Sequence, residues 1–337
     1  MFGVATVITA VITSLVPASA SGASLVSRAA TKVAKSGPRV IIDTDLSRWW
    51  DDASTIGIAN VLQQRGELRL LGIVSDVPNS VAVAALDAIN TAYGHADTPV
   101  GAVVGSDGDT FEHGYTDEIV RRLPHSVDDS GDVPAAVALY RRLLAKQPDH
   151  SVTIVSLGGF TNLAGLLESR RGQGSALDGR ALVEKKVKRL VQMDGFFPEG
   201  GPAFTNQKID LAAATAVIGG EGWPTPIAWV DGLNGVATKV GGTLCATVKA
   251  KHPMRIVYEE LFGCEPPGDG NWDAPTLLYA IGDLPDIWSE LGQGGAAAIN
   301  AQGGFSWETP SNRPDDVYIR VSDQAALNQR IDELLVA

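Results

Sequence analysis

Four aspartates, Asp43, Asp45, Asp51 and Asp52, fall within ten residues of one another, directly after the apolar run Val40-Ile41-Ile42. Gathering that many carboxylates at one place costs Coulomb energy unless a cation compensates. With oxygen ligands and no His or Cys nearby, the cation that fits is hard, Ca²⁺ or Mg²⁺ rather than zinc. Asp51 or Asp52 can instead cap a helix beginning near Ala53 and satisfy its first N–H groups. Capping accounts for one aspartate, not for four.

Other β-branched runs also end in polar residues. One leads into Ser75-Asp76-Val77-Pro78-Asn79. Another, Thr153-Ile154-Val155-Ser156, leads into Leu157-Gly158-Gly159-Phe160-Thr161-Asn162. A third reaches Met193-Asp194-Gly195 and then Thr205-Asn206-Gln207-Lys208-Ile209-Asp210. The elements that must position these groups follow from periodicity: strands at 40–43, 68–75, 100–104, 152–156, 187–193 and 227–230, alternating with helical segments at 53–64, 81–93, 133–146, 162–169 and 211–219. That alternation predicts an α/β fold, a mostly parallel central sheet flanked by helices on both faces. In such a sheet ligands sit beyond the carboxyl ends of the strands, where the polar runs lie. After Gly232 the pattern is less regular, with a helix expected at 275–281. There is no internal repeat.

The chain has 337 residues, 27 Lys+Arg against 39 Asp+Glu, a formal charge of −12, and 45% hydrophobic and 20% charged residues. This is a globular composition, neither disordered nor fibrous, and it fits one large domain over 38–337. The acidic balance and the lack of a Lys/Arg run argue against a nucleic-acid polymer as partner, since phosphate binding needs cations. A homo-oligomer is left open. Residues 1–20 carry no Asp, Glu, Lys or Arg, and the apolar stretch from Phe2 to Val16 is followed by Ala18-Ser19-Ala20. This reads as a secretory signal, shorter than the ~20 residues needed to span a bilayer. Residues 21–37 read as a linker. The expected product is secreted or extracytoplasmic, with no stable membrane association after cleavage. Cys245 and Cys264 have no CxxC spacing, which excludes a structural zinc site. In an exported protein they either pair or remain two separate thiols; the spacing leaves both open.

The motifs together resemble the inosine-uridine preferring nucleoside hydrolases. The resemblance is carried by Asp43-Thr44-Asp45 with Asp51-Asp52-Ala53, by Leu157-Gly158-Gly159-Phe160-Thr161-Asn162-Leu163-Ala164, and by Asn271-Trp272-Asp273-Ala274-Pro275. Asp87-Ala88-Ile89-Asn90-Thr91-Ala92-Tyr93-Gly94 is similar to a helix of divergent bacterial and fungal members. The resemblance implies a Rossmann-like nucleoside hydrolase fold and hydrolysis of a ribonucleoside to ribose and free base, with purine nucleosides as the favoured substrates, as part of nucleoside salvage. It implies Ca²⁺ held by Asp45, Asp52, the Leu157 carbonyl and Asp273, with the ribose 2′- and 3′-hydroxyls and a water completing the shell. Asp45 is the implied general base. Asp51, Asn79 and Asn206 are implied in ribose binding or in organising the site.

Three features depart from the family pattern. Leu46-Ser47-Arg48-Trp49-Trp50 stands where most members have a Pro-Gly pair and a shorter spacing; divergent members share the longer one. Phe204 stands two positions before Asn206, where many members have Glu, and Glu199 replaces it only if its loop folds back. Trp272 stands where some members have an acidic His. None of His95, His113, His125, His150 and His252 lies in a matched motif, so leaving-group activation falls to aromatic stacking by Trp272, with Trp49 and Trp50 as further candidates. Two alternatives remain. Asp43-Thr44-Asp45-Leu46-Ser47 also resembles the first motif of haloacid-dehalogenase-type, Mg²⁺-dependent phosphatases, with Asp43 as nucleophile. The other is a non-catalytic sugar- or nucleoside-binding protein on the same fold.

Overall fold

Val40, Ile41 and Ile42 are all fully buried because both faces of their strand are covered. Alternate residues of a strand point to opposite faces. Val40 and Ile42 accordingly join one core, and Ile41 joins the other. The computed structural model describes residues 1–3, 37–47, 49–78, 80–104, 114–172, 174–219, 221–267 and 270–337. The chain divides into two units, Met1–Lys35 and Ser36–Ala337. Every strand and helix among the described residues belongs to the second. The signal segment 1–20 and the linker 21–37 fall almost wholly outside the described residues, as do Arg48 and Asn79.

Ten strands are found among the described residues: β1 (Arg39–Thr44), β2 (Arg69–Ser75), β3 (Val100–Ala102), β4 (Val152–Ser156), β5 (Val187–Gln192), β6 (Ile227–Trp229), β7 (Trp288–Leu291), β8 (Ala296–Ile299), β9 (Phe305–Glu308) and β10 (Val317–Val321). Eight form one sheet in the order β3-β2-β1-β4-β5-β6-β10-β7, and β8 pairs with β9 separately. Every pairing in the large sheet is parallel except β10 with β7. The order reverses at β1: the chain goes to one side through β2 and β3, and to the other through β4, β5 and β6. Loops leaving neighbouring strands diverge at such a point and open a crevice.

One face is covered by helices including Trp50–Gln64, Ser80–Ala92, Pro253–Phe262, Asp273–Ile281 and Gln324–Leu335. Helices Ala136–Ala145, Thr161–Glu168, Gly179–Lys186 and Leu211–Ile218 cover the other. All six expected strands are present, as are the expected helices. The strands after Gly232 go beyond the sequence expectation. β7 is largely exposed and β10 has a single fully buried residue, so neither carries the apolar run that marks a strand covered on both faces.

Cys245 and Cys264 are disulfide-bonded, with Cα atoms 5.7 Å apart. The bridge closes a loop around helix Pro253–Phe262, whose Tyr258 and Phe262 pack edge-on against Trp50 at 5.3 and 5.7 Å. A cross-link of this span stabilises by about 3 kcal/mol, chiefly by restricting the unfolded chain. Reduction, or the double change Cys245→Ser with Cys264→Ser, should lower the melting temperature by roughly 5 °C. Unchanged melting in reductant would show that the bridge contributes nothing.

Candidate active site

The hydrogen-bond ladder continues past the carboxyl ends of the central strands. Asp76 N donates to the Thr44 carbonyl (3.0 Å), Leu157 N to the Asp43 carbonyl (2.8 Å) and Met193 N to the Ser156 carbonyl (2.9 Å). These bonds bring Asp45, Asp76, Leu157 and Met193 to neighbouring positions at the topological switch. The approach is close at Gly158, where a Cβ would lie 2.7 Å from Asp76 Oδ2 and 2.8 Å from Asp45 Cβ. Only glycine leaves both carboxylates in place.

Two helix N-termini supply the remaining acids. Asp51 and Asp52 occupy the first turn of Trp50–Gln64, and Asp273 opens Asp273–Ile281. The helix dipole partly offsets negative charge at such positions. Asn271 joins the two ends: its Nδ2 donates to Ser54 Oγ (2.7 Å), and its Oδ1 accepts from Ala274 N (2.9 Å). Trp272 N donates to Asp51 Oδ2 (3.1 Å). The result is that carboxylate oxygens of Asp51, Asp52 and Asp273 lie within 4.8 Å of one another. Thr44 Oγ1 donates to Asp52 Oδ1.

Asp45, Asp52 and Asp273 are buried, and burial is the main cause that raises the pKa of each well above the ordinary carboxylate range. Mutual repulsion adds to it: Asp76 and Asp51 act on Asp45, Asp45 and Asp51 on Asp52, and Asp51, Asp52 and Asp45 on Asp273. Asp45 Oδ2 is buried with no hydrogen-bond partner. The Leu157 carbonyl accepts from Asn206 Nδ2 at 2.6 Å, which leaves its second lone pair for a further partner. Carboxylates plus a carbonyl, with one carboxylate oxygen unspent, fit a hard divalent cation.

These groups open on a cavity of about 210 Å³. Asp45, Asp51, Asp52, Asp273 and Leu157 line it, together with Trp49, Met193, Phe204, Thr205, Asn206 and Trp272. Seven of the eight residues assigned a role from sequence therefore converge here; the eighth, Asn79, lies outside the described residues. The Trp272 ring is held by Nε1–H donation to the Gly232 carbonyl (3.0 Å). It rests on Gly235, where a Cβ would approach its Cδ1 to 2.0 Å.

Some expectations are corrected. Trp50 is 4% exposed and packs in the core, whereas its neighbour Trp49 is 40% exposed and lines the cavity. Glu199 is exposed and does not line it. Asp43, the nucleophile of the phosphatase reading, is fully buried away from the cavity, accepting from Tyr140 OH and Asn162 Nδ2 at 2.9 Å each. Burial lifts it to about 7 despite those two bonds. It is a structural strut, and that reading fails. Sequence reasoning gave no role to Thr44, Ser54 or Asp76. Asp76 was detectable, being an acid directly after a buried strand, as Asp45 is. The other two carry no signal beyond a small hydroxyl.

No family model and no curated protein matches the chain. Among solved structures it is similar to an inosine-uridine preferring nucleoside hydrolase from Bacillus anthracis, 16% identical over 89% of this chain and 99% of that one, with a TM-score of 0.67. A purine-preferring ribonucleoside hydrolase from Gardnerella vaginalis is 17% identical over 88% and 99%, TM-score 0.64. The type III effector protein XopQ complexed with adenosine diphosphate ribose is 14% identical over 90% and 94%, TM-score 0.65. The chain thus has the nucleoside hydrolase fold.

A carboxylate whose pKa is raised by folding contributes stability below its unfolded value near 4 and loses it as pH rises through the folded value. Asp43 places part of this loss between about 4 and about 7, and the rim aspartates shift in the same direction. Chelated protein should therefore melt lower at pH 8 than at pH 5, and Ca²⁺ should restore more stability at pH 8. Calorimetry showing the reverse slope would refute the electrostatic account.

Proposed function

We propose that the chain is a Ca²⁺-dependent N-ribohydrolase that splits ribonucleosides, purine nucleosides foremost, into ribose and free base. The observation that carries this reading is the convergence of buried Asp45, Asp51, Asp52 and Asp273 with Trp272 on one cavity of the nucleoside hydrolase fold. The apolar 2–16 segment and the disulfide support an exported enzyme, since such bridges persist in oxidising compartments.

In this reading Asp45, Asp52, Asp273 and the Leu157 carbonyl would hold Ca²⁺. Bound there, the ion would offset the carboxylate repulsion, ligate the ribose diol and lower the pKa of a nearby water. Asp45 takes a proton from water. The water oxygen adds to the anomeric carbon as the C1′–N bond breaks, keeping its other proton as the new hydroxyl. The base nitrogen gains a proton from solvent, and Asp45 returns its own. The carboxylates stabilise the positive charge that develops on the sugar. Asp51 and Asn206 position the ribose, and Trp272, fixed by Gly232 and Gly235, stacks on the base. The ADP-ribose complex of the effector with this fold favours one second reading, a ribosyl-binding protein without turnover. Reducing-sugar release from a ribonucleoside panel separates the two.

Asp45→Asn should cut turnover by about 10²–10⁴-fold, with Ca²⁺ content measured on the same sample; a smaller loss with metal retained would reassign the base. Trp272→Ala should slow purine nucleosides about tenfold more than p-nitrophenyl riboside, whose leaving group requires no protonation. Equal losses on both would sink the stacking role.

A further inference from the structure

A ribonucleoside presents three directions around its sugar: the base at C1′, the diol at C2′ and C3′, and the substituent at C5′. The ribohydrolase reading, on which this inference rests, assigns the carboxylates to the diol and Trp272 to the base. Apart from Trp49, the described lining residues left are Met193, Phe204 and Thr205, which adjoin Asn206, the residue that reading sets against the ribose. They form one corner, because the end of β5 and the helix Thr205–Ile209 are tied by Asn206 Nδ2 donating to the Met193 carbonyl (3.0 Å). We propose that this corner selects ribonucleosides carrying an apolar group at C5′, 5′-deoxy- or 5′-alkylthio-ribonucleosides, with Phe204 as the specificity-determining residue.

The chemistry of the corner carries the argument. Met193 offers a buried thioether. The Phe204 ring stands edge-on to Phe196 at 5.2 Å. Its backbone N donates to Gln207 Oε1 (3.0 Å), and Gln207 Nε2 in turn donates to buried Asp194 (3.0 Å). The buried polar chain therefore anchors the Phe204 backbone, and the ring packs on Phe196. Asn206 spends its amide on the Leu157 and Met193 carbonyls and offers a hydroxyl only its Oδ1. A 5′-hydroxyl entering this corner gives up water for at most Asn206 Oδ1 and the exposed Thr205 hydroxyl, whereas a methyl or thioether gives up nothing and gains contact with sulfur and phenyl. A 5′-phosphate fares worst, since no Lys or Arg is among the described lining residues.

The test compares adenosine, 5′-deoxyadenosine, 5′-methylthioadenosine and AMP on the intact Ca²⁺-loaded protein, reading both free adenine and the ligand-induced melting shift. The two apolar substrates should exceed adenosine in kcat/KM by about tenfold to a hundredfold, the range a change of one group makes in an apolar pocket. AMP should be the poorest. Phe204→Gln should bring adenosine level with or above the 5′-deoxy compound, while Phe204→Leu should keep the original order. Adenosine or AMP equal to or better than the apolar substrates on the unmodified protein overturns the proposal. If no ligand releases adenine, the ribohydrolase reading fails, and the melting shifts decide the corner by themselves: a larger shift with 5′-deoxyadenosine than with adenosine supports it, and an equal or smaller one overturns it.

Discussion

The carboxylates of Asp45, Asp51, Asp52 and Asp273 are held together, buried, against their own repulsion, and the surrounding structure can be understood by asking what restrains them. Asp45 is restrained by the β1 ladder, which runs on into Asp76 and Leu157. The other three are restrained by two helices whose first turns meet, latched by Asn271 to Ser54 and by Trp272 to Asp51. No Lys or Arg is ion-paired with Asp45, Asp52 or Asp273 among the described residues. Charge compensation is left to helix dipoles, protons or a cation. That is a costly arrangement for stability, and an economical one for holding a divalent ion and stabilising positive charge on a bound sugar.

Around this acidic centre the cavity is largely aromatic and thioether. Trp272 is pinned between a carbonyl acceptor and a glycine that leaves no room for a Cβ, so it serves as a fixed wall, and its indole N–H is already committed. The Phe204 backbone is anchored through Gln207 and Asp194. Two of the three departures from the family pattern, Phe204 and Trp272, are thus anchored parts of the site. The departures are consistent with a changed substrate surface; a decayed site would have no reason to keep them so well anchored.

The carboxylate positions were legible from sequence because a parallel sheet buried on both faces writes itself as apolar runs, and each run that ends in polar residues marks the rim. The six central strands, the helices between them and Asp45, Asp51, Asp52, Leu157, Asn206, Trp272 and Asp273 all followed from that rule together with the resemblance. The edge strands after Gly232 did not, since half-exposed strands lack the run. Type and spacing also could not distinguish Trp49 from Trp50, or Asp43 from Asp45. Each pair differs only in which way a side chain points: Trp50 and Asp43 turn into packed or hydrogen-bonded interior, and Trp49 and Asp45 turn to the cavity.

The pairing of Cys245 with Cys264, and the meeting of Asp273 with Asp51 and Asp52 across more than two hundred positions of chain, depend on how distant segments pack. Local sequence determined the periodicity, the helix starts and the kind of ligand the acids could hold, because those depend on neighbours a few residues away. Tertiary structure decided which acids share one cavity, which aromatic residues face it and which carbonyls consume the Asn206 amide. Those outcomes follow from the order of strands about β1 and from the packing of two helix N-termini, and no short stretch of chain contains either.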